Sequence, residues 1–239
     1  MSYRELSIWS FSEQVASTRA APAGGSIAAV SGALAAALLA KMGRLALRRR
    51  ATQARSTPQG AEGSGGTSQT PPVLSTVEGP RDSGQAPQQA SSILSHDLVV
   101  EAEALRRRLM ALAHADGQAY EAAARLSRSE KASAEEVETA WQETVSVPLR
   151  IADACERLLE LAETLRLAGL AAADVRAVIV LASACSEVQW LNARVTLTRV
   201  SDTDFRQAAN QRLESLRERL NAFHGSFKDC SPSSEERSL

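Results

Sequence analysis

Large apolar residues recur at three- and four-residue steps through most of the chain, and no sustained apolar-polar alternation of the strand type interrupts them. A short amphipathic segment around Leu6 to Val15 opens the pattern. Pro and Gly then break it at Ala20-Ala21-Pro22-Ala23-Gly24-Gly25-Ser26, where Ser26 is placed to cap the next helix. That helix is expected from near Ser26 to about Arg50, with Ile27, Val30, Leu34, Leu38 and Leu45 as its apolar stripe. Ser31, Gly32 and many alanines would let a neighbouring helix approach closely. Periodicity resumes from about Asp97 to Leu126, on Leu98, Leu105, Leu109 and Leu112. Ser133-Ala134-Glu135-Glu136 opens another helix with Ser133 as its cap, and Pro148 is expected to kink or restart it before Gly169 ends it. An unusually apolar helix from about Ala172 to Val200 suits the centre of a bundle. Ser201-Asp202-Thr203-Asp204 starts the last helix, which is expected to fray after about Lys228.

Between about Thr52 and Ser95 the composition turns to Gly, Ser, Pro, Gln and Thr without any sustained period. This reads as a disordered insertion. The run Gly60 to Gly66 resembles a phosphate loop only superficially, because the Gly-Lys-Ser/Thr signature and the strand-to-helix context are both missing. One domain over residues 1–239 is expected, interrupted at about 52–95 and ending in a polar tail from about 229.

Composition sharpens the fold class. Hydrophobic residues make up 44% of the chain but aromatics only 4%, so the core must be built from Ala, Leu and Val. That favours close-packed helices over strands, and an all-α bundle of long antiparallel helices with an Ala-rich core is expected. With 27 Lys+Arg against 28 Asp+Glu, no global field attracts nucleic acid or an anionic membrane, and neither is expected as a partner. Cys155, Cys185 and Cys230 are odd in number, widely spaced and without a C-x-x-C pair, which argues against a disulfide framework or a zinc site and for a reduced cytoplasm. Met1 to Phe11 lacks the apolar run of a signal peptide. The most apolar segment, Ile27 to Ala40, is largely Ala and ends at Lys41, short of the ~20 residues that span a bilayer, so it reads as a buried core helix.

Conventional catalytic signatures are missing. His96, His114 and His224 have no metal-ligand spacing, no G-x-S-x-G elbow occurs, and no metal is expected. What remains are polar residues in apolar surroundings. Gly24 and Gly25 before a helix permit close backbone approach, and the free N–H groups there serve a ligand oxygen or a plain cap equally well. Asp116 shares a helix face with Tyr120, four positions on, although an isolated helical Asp is usually solvated. Asp174 and Asn192 fall on one face of one helix but ~27 Å apart, at ~1.5 Å per residue, so they cannot both touch one small reacting group. Asp174 could simply complement the helix dipole. Asn192 needs partners on a neighbouring helix or on a ligand with donor and acceptor edges, such as a pterin. The basic runs Arg48 to Arg50 and Arg106 to Arg108 read as solvated cationic faces, the first also as a possible dock for an anionic tail.

Three local patterns in this order, Pro22-Ala23-Gly24-Gly25-Ser26, Asp116-Gly117-Gln118-Ala119-Tyr120, and Asp174 followed by Asn192-Ala193-Arg194-Val195-Thr196-Leu197, resemble one family. They are similar to the P-x-G-G-G-S, D-A-x-A-Y/F and S-D-A-G…N-V-x-I-N-L signatures of the formiminotetrahydrofolate cyclodeaminase domain and the related methenyltetrahydrofolate cyclohydrolases. Ser146-Val147-Pro148-Leu149 resembles a further family stretch. The chain departs from the signatures at Ala23, Arg176 and Thr196, where the family has Gly, Gly and Asn, and has His114-Ala115 where an acidic residue often precedes the second signature. The resemblance implies a cytoplasmic, homodimeric folate enzyme with no cofactor beyond its tetrahydrofolate substrate. It implies Asp116 as the acid-base group and Gly24, Gly25, Ser26, Asp174 and Asn192 as substrate contacts. The implied reaction is closure of a methenyl bridge from formiminotetrahydrofolate with loss of ammonia, or alternatively hydrolysis of methenyltetrahydrofolate. Two non-enzymatic alternatives stand beside it: a scaffold that keeps the fold without folate turnover, and a helical adaptor suggested by the alternating charges of Glu214 to Arg219, which predicts no pocket.

Overall fold

The computed structural model describes residues 2–56, 96–167 and 172–228. The regular elements among them are a 3-10 turn at Tyr3–Glu5 and six α-helices: α1 Ile8–Val15, α2 Gly24–Ser56, α3 His96–Leu126, α4 Ala134–Leu167, α5 Ala172–Leu197 and α6 Thr203–Lys228. The chain is an all-α bundle, as composition and periodicity predict. The run Gly60 to Gly66, Gly169 and the tail from 229 lie outside the described residues.

Helices α2, α3, α4 and α5 close into a ring in which each packs along its neighbour, with α6 laid against α5 and α4. Pairings fix the directions. Gly43 of α2 meets Leu98 and Val99 at the start of α3, and Gly25 meets Asp116 further along it, so α2 and α3 are antiparallel. Arg157 of α4 reaches Glu101 of α3, while Trp141 donates from its indole N–H to the Ser127 hydroxyl beyond the other end of α3 at 2.9 Å. Gly32 lies against Cys155 of α4 and Cys185 of α5, where three helices converge.

Local chemistry explains the starts of three helices. Ser7 caps α1, accepting from the Ser10 N–H at 3.0 Å. Ser133 and Glu136 form a reciprocal capping box on α4, with Glu136 N–H to Ser133 Oγ at 3.2 Å and Ser133 N–H to Glu136 Oε2 at 2.8 Å. Asp202 caps α6 by accepting from the Phe205 N–H at 3.0 Å. Helix α4 runs through Pro148 as one element and does not restart there.

Two expectations for α2 are corrected. Ser26 is not its cap: the helix begins at Gly24, and the Ala23 carbonyl accepts the first helical bond, from the Ile27 N–H at 3.0 Å. Ser26 is fully buried within the first turn, where a carboxylate on α3 offers its hydroxyl a stronger acceptor than a backbone group would. At the other end α2 continues to Ser56, because Ala51, Gln53, Ala54 and Arg55 are good helix formers. Arg48 and Arg49 are therefore exposed mid-helix residues and not a terminal turn.

The Ile/Leu stripe read on α2 faces the wrong way for a monomer core. Ala29, Ala33, Ala36, Leu39 and Ala40 face inward, while Ile27, Leu34 and Leu45 are exposed. Val30 and Leu38 of the stripe pack partly against the core. The inward alanines let the helix axes approach closely and leave Ile27, Leu34 and Leu45 on the outer side. Helix α2 is long and apolar enough to cross a membrane by length and composition, but most of its apolar stretch is packed within the bundle.

Candidate active site

The first turn of α2 carries two glycines and a serine against the middle of α3 and the last third of α5. Ser26 Oγ donates to Asp116 Oδ2 at 2.9 Å, and the Ser26 backbone N–H is also directed at this carboxylate. Asp116 thus receives a donor that the first turn of α2 leaves without a helical partner. Burial is the larger influence, and it pushes the Asp116 carboxyl above its ordinary range in spite of the two donors from Ser26. A carboxyl so placed holds its proton more tightly than one in water.

Asn192 approaches the same point from α5. A Cβ added at Gly25 would lie 2.6 Å from Asn192 Nδ2 and 2.7 Å from each Asp116 oxygen, so the missing side chain is what allows the amide and the carboxyl to converge. Gln189, fully buried one turn before Asn192, donates from Nε2 to the Gly25 carbonyl at 2.9 Å and pins that turn of α2 to α5. Thr196, one turn after Asn192, bonds back to the Asn192 carbonyl at 2.9 Å and reaches the Thr144 carbonyl of α4 at 3.3 Å.

These groups open into a cleft of about 410 Å³. Gly24, Gly25, Asp116, Asn192 and Thr196 give it a polar wall, while Tyr120, Leu191 and Val195 give it an apolar one. Tyr120 stands edge-on against Trp141, with ring centroids 6.2 Å apart. Two other grooves lie elsewhere on the bundle. One of about 680 Å³ runs along the polar face of α6, and one of about 480 Å³ lies between α3 and α4 beside Glu135, Glu136 and Glu143. Among the described residues no three His, Cys, Asp or Glu side chains gather as a metal site.

Of the residues singled out in the sequence, Gly24, Gly25, Asp116 and Asn192 line one cleft, and Ser26 stands directly behind the carboxyl. Asp174 does not join them. It lies in the first turn of α5, at the opposite end of that helix from Asn192. The cleft also counts against an adaptor without a pocket. Sequence reasoning missed Gln189, whose signal was an amide in an apolar helix one turn from Asn192. It also gave no reason for Gly117, where a Cβ would meet the Tyr3 hydroxyl at 2.7 Å and Ala21 Cβ at 3.0 Å.

Comparison with known proteins bears on this constellation. The family model described as formiminotransferase-cyclodeaminase matches residues 7–61 and 87–215, which include every cleft residue named above. The chain belongs to the formiminotransferase-cyclodeaminase family. The crystal structure of formiminotetrahydrofolate cyclodeaminase from Thermotoga maritima has the same fold, at 23% identity over 95% of this chain and 96% of that one, with a TM-score of 0.65. No curated protein sequence matches significantly. The family match omits residues 62–86, inside the Gly/Ser/Pro-rich stretch. The departures from the family signatures also find positions here. Ala23 supplies the capping carbonyl of α2, Thr196 ties α5 to α4, and Arg176 is exposed near the start of α5, away from the cleft.

Proposed function

We propose that this family member is a folate one-carbon enzyme that closes formiminotetrahydrofolate to methenyltetrahydrofolate with release of ammonia. The observation that carries the reading is the convergence of the buried Asp116 carboxyl and the Asn192 amide over Gly25. In the reaction the aryl nitrogen attacks the carbon of the protonated formimino group and a new C–N bond forms. The attacking nitrogen loses its proton, the departing nitrogen gains one, and the old C–N bond breaks as ammonia leaves. Asp116, as carboxylate, takes the proton from the attacking N–H and then delivers it to the leaving amine. A carboxyl whose pKa burial raises above the ordinary carboxylate range is better suited to both halves of that transfer. Asn192 offers a donor and an acceptor to the pterin edge, and the Tyr120, Leu191 and Val195 wall suits a flat ring. None of these steps calls for a metal or a nicotinamide.

Absorbance-monitored turnover of purified protein with formiminotetrahydrofolate, and separately with methenyltetrahydrofolate, tests the reading. Methenyl formation from the first supports it. Consumption of the second alone would replace it with the hydrolase reading, and neither activity nor binding would leave a scaffold.

The reading includes a homodimer. Ile27 and Leu34 on α2 and Val180 and Leu181 on α5 are exposed along the same two neighbouring helices. This apolar face favours burial against a second copy of itself. Light scattering on the wild-type chain should give twice the mass of one chain. Leu34→Glu together with Val180→Glu should give a monomer, because each charge would otherwise be buried without a partner. A wild-type monomer, or a double variant that stays dimeric, would remove this face from the assembly.

A further inference from the structure

We propose that Gln189 is a positioning residue for the Asp116 carboxyl: its buried amide grips the peptide unit from which Ser26 reaches that carboxyl. The inference rests on the reading of Asp116 as the acid-base group and adds to the site a residue that is no part of the cleft wall. Two hydrogen bonds carry it. Gln189 Nε2 donates to the Gly25 carbonyl at 2.9 Å, and Ser26 Oγ donates to Asp116 Oδ2 at the same distance.

The Gly25 carbonyl and the Ser26 Cα belong to one peptide unit, which is planar and rigid. A side chain on α5 that fixes the carbonyl therefore fixes the root of the Ser26 side chain, whose hydroxyl holds a carboxyl on α3. Asn192, one turn after Gln189, fills the space that a Cβ of Gly25 would take, with Nδ2 only 2.6 Å from that position. The two α5 amides thus bracket Gly25, one at its carbonyl and one at its missing side chain, and together they set how far it stands from Asp116.

The energetics of Gln189 point to placement and not to stability. Its side chain is fully buried, and only Nε2 can donate to a carbonyl, so the orientation of the amide is fixed. Oε1 is then left buried with no hydrogen-bond partner among the described residues. A hydrogen bond between uncharged groups brings a small net gain, because water offers the same bond to the unfolded chain. An acceptor buried without a donor keeps its whole desolvation penalty, and that is the larger effect. Methionine is similar in length and flexibility and has no amide to desolvate, so for the fold alone it would serve at least as well here. What the amide holds is the reason for its presence.

Gln189→Met in the full chain is the test. Its melting temperature should equal or exceed that of the wild type, while kcat with formiminotetrahydrofolate falls about 10- to 100-fold and KM stays within about twofold, as for a displaced reacting group. A carbon-13 titration of the Asp116 carboxyl by NMR reads the same displacement without substrate. With Ser26 loosened, Asp116 loses a donor that favours its charged form, so its midpoint should move upward. Of the other groups around Asp116, Gly25 and Asn192 do not titrate, and the Tyr3 phenol titrates far above this range. In a Ser26→Ala background Gln189→Met should move the midpoint no further. A Gln189→Met chain that melts lower or does not fold makes Gln189 a residue of the fold and overturns the proposal. An unmoved midpoint, or an equal shift in the Ser26→Ala background, overturns it as well, and so does an unchanged kcat. Should the wild-type chain turn over no folate, the folate reading fails, while the melting temperature and the midpoint still decide the role of Gln189.

Discussion

Replacing Asp116 with Asn is expected to reduce turnover by about 10²- to 10⁴-fold, the usual share of a positioned acid-base group, and to raise thermal stability at neutral pH. Both effects come from the same burial. The native carboxyl binds its proton more tightly than the unfolded one, because desolvation disfavours the charged form. Stability from this group is therefore fully present below the unfolded-state pKa and is lost as pH rises through the native one. An Asn has no charge to desolvate and can still accept the Ser26 hydroxyl through its amide oxygen. The variant should match the wild type in acid, gain on it as the wild-type carboxyl ionises, and hold a constant advantage above the native pKa. Melting temperatures of both proteins from acid to neutral pH check the sign. A wild type that is the more stable protein at neutral pH would contradict it, and unchanged turnover would remove Asp116 from the chemistry.

Gly25→Ala is the second large effect, and here binding should fail while the fold survives. The new Cβ would sit 2.6 Å from Asn192 Nδ2 and 2.7 Å from both Asp116 oxygens. No real Cβ tolerates such contacts, so the polar tips must move. Asp116 can retreat only by leaving Ser26, and Asn192 only by leaving the cleft. Overpacking costs about 1–3 kcal/mol, part of which the better helix propensity of alanine offsets. The melting temperature should fall by a few degrees at most. Affinity for a stable reduced folate such as 5-formyltetrahydrofolate, measured by calorimetry, should fall by about 100-fold or more, because two polar contacts are lost together with the space they face. Gly24→Ala is the matched comparison. Nothing lies within 4 Å of a Cβ at that position, so its effect should be much the smaller. Equal losses from the two changes would mean that the gap at Gly25 is not where the ligand sits.

Apolar patterning made α3, α4, α5 and α6 legible to within a few residues, helped by local start signals at Ser133 for α4 and at Ser201 to Asp204 for α6. The facing of α2 was not legible. Leu at three- and four-residue steps marks a buried stripe only when the partner helix stands at an ordinary distance. Here Ala29, Ala33 and Ala36 draw the partners in and turn Ile27 and Leu34 outward. Ser26 was misread for a related reason. A capping serine and a serine bonded to a distant carboxylate look alike until the distant carboxylate is located. The convergence of Gly25, Asp116 and Asn192 is a matter of register among three helices, which spacing within one helix cannot give. The separation of Asp174 from Asn192 was legible, because it follows from helix rise alone.

The joints that hold this cleft are long in sequence: Ser26 and Asp116 stand 90 positions apart, and Gly25 and Gln189 stand 164 apart. On a ribosome the first turn of α2 emerges early and must wait for almost the whole of α5 before its carbonyl finds the amide that pins it. The antiparallel neighbours α3 and α4, joined by a short connection, can pair long before that at small entropic cost. Synthesis therefore delivers a helical scaffold first and the binding site last, and a nascent chain halted short of α5 would carry the glycines and the carboxyl without the pocket they exist to shape.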